Sequence, residues 1–309
     1  MNYRHLVVAV VLVLVMGSLL WAAAYGPGAG GLGLYRPRDA VGIIYLDGVL
    51  VSGAGGTDLF GTVLGSDDII GYIEEATWDP TVKALVLRIN SPGGSAAAAE
   101  EIGRELEKFQ AAGKVLVVSM GDVAASGAYW IAAGADEIIA NASTITGSIG
   151  VIMQVQRLEE LYEKIGVEVE TIKSGPHKDI GSATRQLTGE EREILQSMVD
   201  DIFHQFVDVV AAGRDMTREQ VLDLADGRIF TGRQAQKAGL VDRVGNFYDA
   251  IDRAAELAGI TGEYDVIEYG RVSPLERLLS GYAVLAPGLD VRELLGRLTV
   301  YRHLLEMPK

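Results

Sequence analysis

The chain contains no cysteine. That excludes a thiolate nucleophile, a thiolate metal site and any disulfide, and it leaves the compartment open, because oxidising and reducing locations both tolerate the absence. Histidine is scarce, with four in 309 residues: His5, His177, His204 and His303. None stands in an evident Ser/His/Asp context, so a serine nucleophile here has no obvious imidazole base. Asp200, His204 and Asp208 recur every four residues and share a helical face, a spacing that a solvated polar face explains without a metal. No metal and no cofactor is therefore expected. A dense Lys/Arg stripe is missing too. With 27 Lys+Arg against 42 Asp+Glu the net charge is -15, which repels phosphate backbones and argues against a nucleic-acid partner.

Apolar residues are plentiful instead, at 49% against 22% charged. The surplus is concentrated in "LVVAVVLVLVMGSLLWAAA", Leu6 to Ala24, which carries no charge. At 1.5 Å per residue this run is roughly 28 Å long, about one bilayer core, whereas a secretory signal has an apolar region of about 7–15 residues. Arg4 and His5 precede it, which favours a cytoplasmic N-terminus and a translocated body. Residues 1–25 thus read as a single-pass signal anchor. "GPGAGGLGLY", Gly26 to Tyr35, reads as part of a flexible tether covering 26–38. The folded body is expected over 39–262, and the tail 263–309 has no assignment.

Within the body, strand and helix patterns alternate. "AVGIIYLDGVLV" reads as a strand, "SDDIIGYIEEATWD" as a helix opening on a serine cap, and "VKALVLRIN" as a strand buried on both faces. "AAAAEEIGRELEKFQAAG" is a helix stopped by Gly113. Strand "KVLVVSMG", turn "DVAAS", helix "GAYWIAAGA" and strand "EIIANAS" follow, and "LEELYEKIGVEVETIKSG" continues as helix then strand. From Thr188 the chain is largely helical, with Glu191 at capping-box spacing. Short connections between such elements imply right-handed βαβ units around a parallel sheet, so the fold class is α/β.

Reactive groups in open α/β sheets gather at the carboxyl ends of strands. "NSPGG" and "MGDVAASG" each follow a strand, and adjacent crossovers bring them to one edge. Gly93 and Gly94 allow close backbone approach, and their N–H groups can face an oxyanion. Ser126 is placed where a helix begins. A helix N-cap or a small packing residue accounts for it as well as a nucleophile does. Its candidate base is a lysine from "KSGPHKDIGSATR", either Lys173 or Lys178. Such a lysine must be neutral, and bringing a pKa of about 10.4 down to about 7.5 costs roughly 4 kcal/mol, which a desolvated pocket can impose.

"LVLRINSPGGS", "GDVAASGAYWIAAGADEIIANASTITGSIGVI", "KSGPHKDIGS" and "GRIFTGRQAQKAGLVDRVG" together resemble the signal peptide peptidase SppA family, in its short, single-unit form, from about Val41 to Ala258. The resemblance implies a ClpP/crotonase-like fold and a membrane-bound Ser/Lys protease. On the matching positions Ser126 is the nucleophile and Lys178 the general base, with Lys173 its structural neighbour. Ser148, in "TGSIG", orients the lysine. The N–H groups of Gly94, with Gly93 beside it, and of Gly127 form the oxyanion hole. Substrates implied are apolar peptides such as signal-peptide remnants, and the setting is the prokaryotic cytoplasmic membrane with the catalytic domain on the extracytoplasmic side. Partners are further copies of the chain, in a homo-octameric ring with the dyad completed across a subunit boundary. Apolar residues of "AYWIAAG" and "TITGSIGVIM" are candidates for specificity pockets. A crotonase-type acyl-CoA enzyme and a non-catalytic membrane scaffold are the alternative functions.

Overall fold

The computed structural model describes residues 38–58 and 61–270. The expected anchor, almost all of the tether and the tail from residue 271 lie outside the described residues. No described helix is long and apolar enough to cross a membrane.

The apolar runs pair into one mainly parallel sheet. β1 (Ala40–Asp47) lies beside β5 (Val82–Ser91), and β5 beside β6 (Val115–Ala125). β7 (Glu137–Ala140) and β10 (Arg243–Val244) extend the sheet on one side, β11 (Asp265–Tyr269) on the other. Alternation along each strand divides the core. Ile44, Leu46, Leu85, Leu87, Ile89 and Val118 face a layer made by α1 (Ser66–Trp78), α2 (Ala96–Ala111), α3 (Gly127–Ala133) and α5 (Gly189–Gly213). Val41, Ile43, Ala84, Val86 and Val117 face α8 (Phe247–Leu257) through Ala250, Ala254 and Ala255. Burial on both faces is what the continuous run "VKALVLRIN" demands.

The structure departs from the sequence reading in places that matter for the site. "AVGIIYLDGVLV" is broken at Gly48 (φ 107°), after which β2 (Val49–Val51) joins a small second sheet with β4 (Gly61–Gly65) and β3 (Gly56–Asp58). "DVAAS" is not a turn. β6 runs through it to Ala125, shifting register against β5 so that Ile89 pairs with Met120 but Ser91 with Ala124. A further strand, β8 (Ile145–Gly147), receives this extension, with Val123, Ala124 and Ala125 opposite Ile145, Thr146 and Gly147. β9 (Ile229–Thr231) pairs antiparallel with β8.

Ser66 does not cap α1. Gly65 holds the cap position, and Ser66 is a buried first-turn residue whose hydroxyl donates to Glu101 Oε2 at 2.7 Å. Beyond α4 (Glu159–Ile165) the expected strand does not form: residues 167–173 are exposed and unpaired with any described strand, so the apolar alternation there has no ladder to join. The sheet also continues past residue 262, because Asp265–Tyr269 aligns with β1 from Ala40 to Ile44. The remaining elements are α6 (Arg218–Leu222) and α7 (Gly232–Lys237).

Candidate active site

Ser126 links β6 directly to α3, and its backbone is φ 54°, ψ -126°. Those angles belong to the first central residue of a type II′ turn, a position dominated by glycine. A serine there is strained, as at other sharp strand-to-helix turns that expose a nucleophile. The conformation is imposed from both sides. Ser126 N–H donates to Gly147 O at 2.9 Å, and Ser126 O accepts from Tyr129 N (2.8 Å) and Trp130 N (3.0 Å). The N-cap alternative fails, since an N-cap needs extended backbone and an engaged side chain, and the Ser126 hydroxyl makes no capping bond. Half-buried, the hydroxyl has no hydrogen-bond partner among the described residues.

The two loops expected to converge do so. A Cβ on Gly93 would lie 2.7 Å from both Ala125 O and Gly127 N and 2.9 Å from Ser126 Cβ, so only glycine (φ 97°) lets the turn sit against the serine. Gly94 passes as tightly over β2, where a Cβ would meet Leu50 O at 2.2 Å. Leu50 is stitched to this turn on both sides, donating to Gly93 O at 2.9 Å and accepting from Ser95 N at 2.9 Å. The donors divide clearly. Gly93 N–H is occupied by Ser91 Oγ at 3.1 Å. The N–H groups of Gly94 and Gly127 have no acceptor among the described residues, and Gly94 N lies 3.4 Å from where a Gly127 Cβ would stand. Two unengaged backbone donors therefore flank a free hydroxyl, the equipment that stabilises a developing oxyanion.

Ser148 follows β8, one residue beyond the Gly147 carbonyl that holds Ser126. It too has a positive φ, 52°, and its hydroxyl has no partner among the described residues. Two buried threonines tie its strand to that of Ser126. Thr144 Oγ1 donates to Gly121 O and Thr146 Oγ1 to Ala124 O, each at 2.6 Å.

Lys173 and Lys178 part company in the loop they share. Lys173 Nζ is held by Asp179 Oδ1 (2.7 Å) and Pro176 O (3.0 Å). Arg185 grips Asp179 through Nε (2.8 Å) and Nη2 (2.6 Å) and reaches Glu191 at 2.5 and 2.8 Å. Hydrogen bonds from Arg185 and then Lys173 hold the Asp179 carboxyl below the usual carboxylate range. Arg185 first, with the Thr188 N–H, takes Glu191 down to about 2. Glu191 also closes the α5 capping box with Thr188, so the loop is fastened to a helix end. Lys178 stands outside this network: exposed, with no ion pair or side-chain hydrogen bond among the described residues, and none to Ser126 or Ser148.

The structure thus brings Gly93, Gly94, Ser126, Gly127 and Ser148 together, while Lys178 makes no hydrogen bond to either serine. "AYWIAAG" is core: Tyr129, Trp130 and Ile131 are buried, and Trp130 stacks on Phe206 with centroids 5.0 Å apart. Ile152 and Met153, by contrast, are exposed. Asp208 pairs with Arg218, which also approaches the His204 ring at 3.5 Å. Sequence reasoning missed Ser91, Thr144 and Thr146. Their signal was a hydroxyl set within or beside an apolar run, where a buried polar group must find a partner.

Known proteins match this chain over much of its length. The family model described as Peptidase family S49 matches residues 108–261. A protease candidate of Synechocystis sp., slr0021, is 50% identical over 201 residues, 64% of this chain and 72% of that one. Protease 4 of Salmonella typhi is 42% identical over 228 residues, 73% of this chain and 36% of that one. The chloroplastic serine protease SPPA of Arabidopsis thaliana is 36% identical over 275 residues, 87% of this chain and 40% of that one. The chain therefore spans most of the Synechocystis relative but well under half of the other two. With 50% identity over 201 residues to a relative that it covers over 72% of its length, and with an S49 segment running from the last turn of α2 to just beyond α8, the chain belongs to peptidase family S49 and is a serine protease of the SppA type.

Proposed function

We propose that the chain is a membrane-anchored endopeptidase that degrades apolar peptides such as cleaved signal peptides, with a ClpP/crotonase-like arrangement of its sheet. Ser126 is the nucleophile. Neutral Lys178 takes its proton, the alkoxide attacks a peptide carbonyl, and the acyl-enzyme is hydrolysed by a water that the same lysine activates. Ser148 orients the lysine, the N–H groups of Gly94 and Gly127 receive the oxyanion, and Gly93 supplies the close approach. The observation that carries this reading is the Ser126 backbone at φ 54°, whose hydroxyl caps nothing. Strain at a residue whose side chain bonds nothing is retained where that side chain has chemistry to do.

The exposed Lys178 supports an assembly in which a neighbouring copy supplies the missing half of the site, since a neutral lysine needs a covered environment that a single chain does not give it. The resemblance points to a ring of eight, anchored by residues 1–25 with the body outside the cytoplasm. The test is hydrolysis of a fluorogenic apolar peptide by wild type and by Ser126→Ala. Activity should vanish with the hydroxyl, together with labelling by a fluorophosphonate, and hydrolysis that survives would assign the reaction elsewhere.

A further inference from the structure

Ser148 keeps a left-handed backbone that a serine does not hold unaided. Its support comes from the far side of β8. The β8–β9 ladder places Gly147 opposite Ile229, and it continues past the strand ends: Ser148 N–H donates to Arg228 O at 2.9 Å, and Gly227 N–H donates to Ile149 O at 3.1 Å. The turn that supplies these bonds has its own lock. Asp226 Oδ1 accepts from Arg228 N–H at 3.0 Å and Nε at 2.7 Å, while Oδ2 pairs with Arg228 Nη2. Gly227, at φ 84°, has nothing within 4 Å of where a Cβ would stand, so its conformation alone calls for glycine.

Asp226, Gly227 and Arg228 are all exposed. An ion pair between side chains 50% and 57% exposed adds little to stability. The turn nevertheless ends, through its backbone, on the residue after the carbonyl that fixes Ser126. We propose that Asp226, Gly227 and Arg228 form a positioning device for the catalytic serines, setting the Ser148 backbone so that its hydroxyl meets the lysine. The inference rests on the assignment of Ser148 as the lysine's orienting partner. The three turn residues act through Ser148 and touch no substrate.

The experiment measures peptide hydrolysis against pH, together with thermal melting, in the full-length protein carrying Gly227→Ala or Gly227→Asn. Alanine resists the left-handed region, whereas asparagine tolerates it. Gly227→Ala should lower kcat about tenfold, with KM within about twofold and melting lowered by no more than a few degrees, and should move the rising limb of the pH profile. Gly227→Asn should restore most of the loss. In a Ser148→Ala background, Gly227→Ala should add nothing, because both changes remove one interaction. If Gly227→Ala proves unstable, Asp226→Ala must reproduce the kcat loss and Asp226→Asn, which keeps an acceptor for Arg228 N–H, must relieve it. The proposal is overturned if Ser148→Ala is slow while the turn variants keep wild-type kcat, or if the losses multiply in the double variant. If Ser148→Ala itself keeps wild-type rate and pH profile, the orienting role of Ser148 has failed and the inference falls with it.

Discussion

The N–H of Ser126 donates to the carbonyl of Gly147 at 2.9 Å, so the nucleophile candidate and Ser148 stand at the ends of two neighbouring parallel strands, β6 and β8. Both serines have positive φ, and each is held by a backbone bond from its own N–H to a carbonyl on another strand or turn. The strain is thus a property of the fold and not of the side chains that occupy it. That separation makes it measurable.

At position 126, glycine should outlast alanine. Both Ser126→Gly and Ser126→Ala remove the hydroxyl and should be inactive, but only glycine is at ease at φ 54°, and the gap between them should be about 1 kcal/mol in glycine's favour. Urea unfolding of the two variants measures it. Equal midpoints would mean that the turn relaxes when the serine is gone.

Two glycines should fail in different ways. A Cβ on Gly93 meets three backbone or Cβ positions under 3.0 Å, so Gly93→Ala should lose both stability and activity. On Gly127 the nearest atom is Gly94 N at 3.4 Å, an ordinary contact, so Gly127→Ala should fold. Its methyl still crowds the space between the two donors. A kcat loss of about 10²–10³-fold with little change in melting is expected, the magnitude of losing one oxyanion donor. A Gly127→Ala enzyme with wild-type kcat would show that the methyl leaves the space between the two donors open.

Acid should loosen the lysine loop. Asp179 and Glu191 are held below the ordinary carboxylate range by Arg185, so their contribution is present above an unfolded value of about 4 and is lost as pH falls toward about 2. Melting temperature measured from pH 7 to pH 2 should drop across that window in wild type. Arg185→Gln should start lower and drop less. Parallel curves for the two proteins would show that Arg185 is not the linked group.

Mixing inactive chains should recover activity. A Ser126→Ala chain offers an intact Lys178, and a Lys178→Ala chain an intact Ser126. Co-expressed, they should hydrolyse a fluorogenic peptide at a fraction of the wild-type rate, although each alone is dead. Thoroughly mixed oligomers that stay inactive, while wild-type chains handled identically recover, would put both halves of the dyad within one chain.

Much of this was legible in the residues because strand ends are legible. The unbroken apolar run of β5 and the abrupt "SPGG" and "AASG" at the ends of β5 and β6 were enough to bring Gly93 and Ser126 to one edge, where they are in contact. The extension of β6 through "DVAAS" was not, because its partner β8 arrives 20 residues later in sequence and is held by Thr144 and Thr146 hydroxyls that composition does not reveal. Nor could the residues show that Gly93 N–H is already spent on Ser91 Oγ while Gly94 N–H is not. Residues 167–173 misled for the opposite reason: their alternation is that of a strand, but no described neighbour completes it. Apart from the family resemblance, nothing in the residues distinguished Lys173 from Lys178, and in the structure the Asp179–Arg185 network holds the first and not the second.

The φ of 54° at Ser126 also bears on descent. While a lineage uses the hydroxyl, selection keeps an ill-fitting residue at a turn that would rather hold glycine. Once proteolysis is abandoned that pressure ends, and mutation at this codon should drift toward glycine, which relieves the backbone, sooner than toward alanine, which does not. A relative with glycine here and the β6–α3 turn intact would therefore record a lost activity, and the order in which Ser148 and Lys178 then decayed would date the loss.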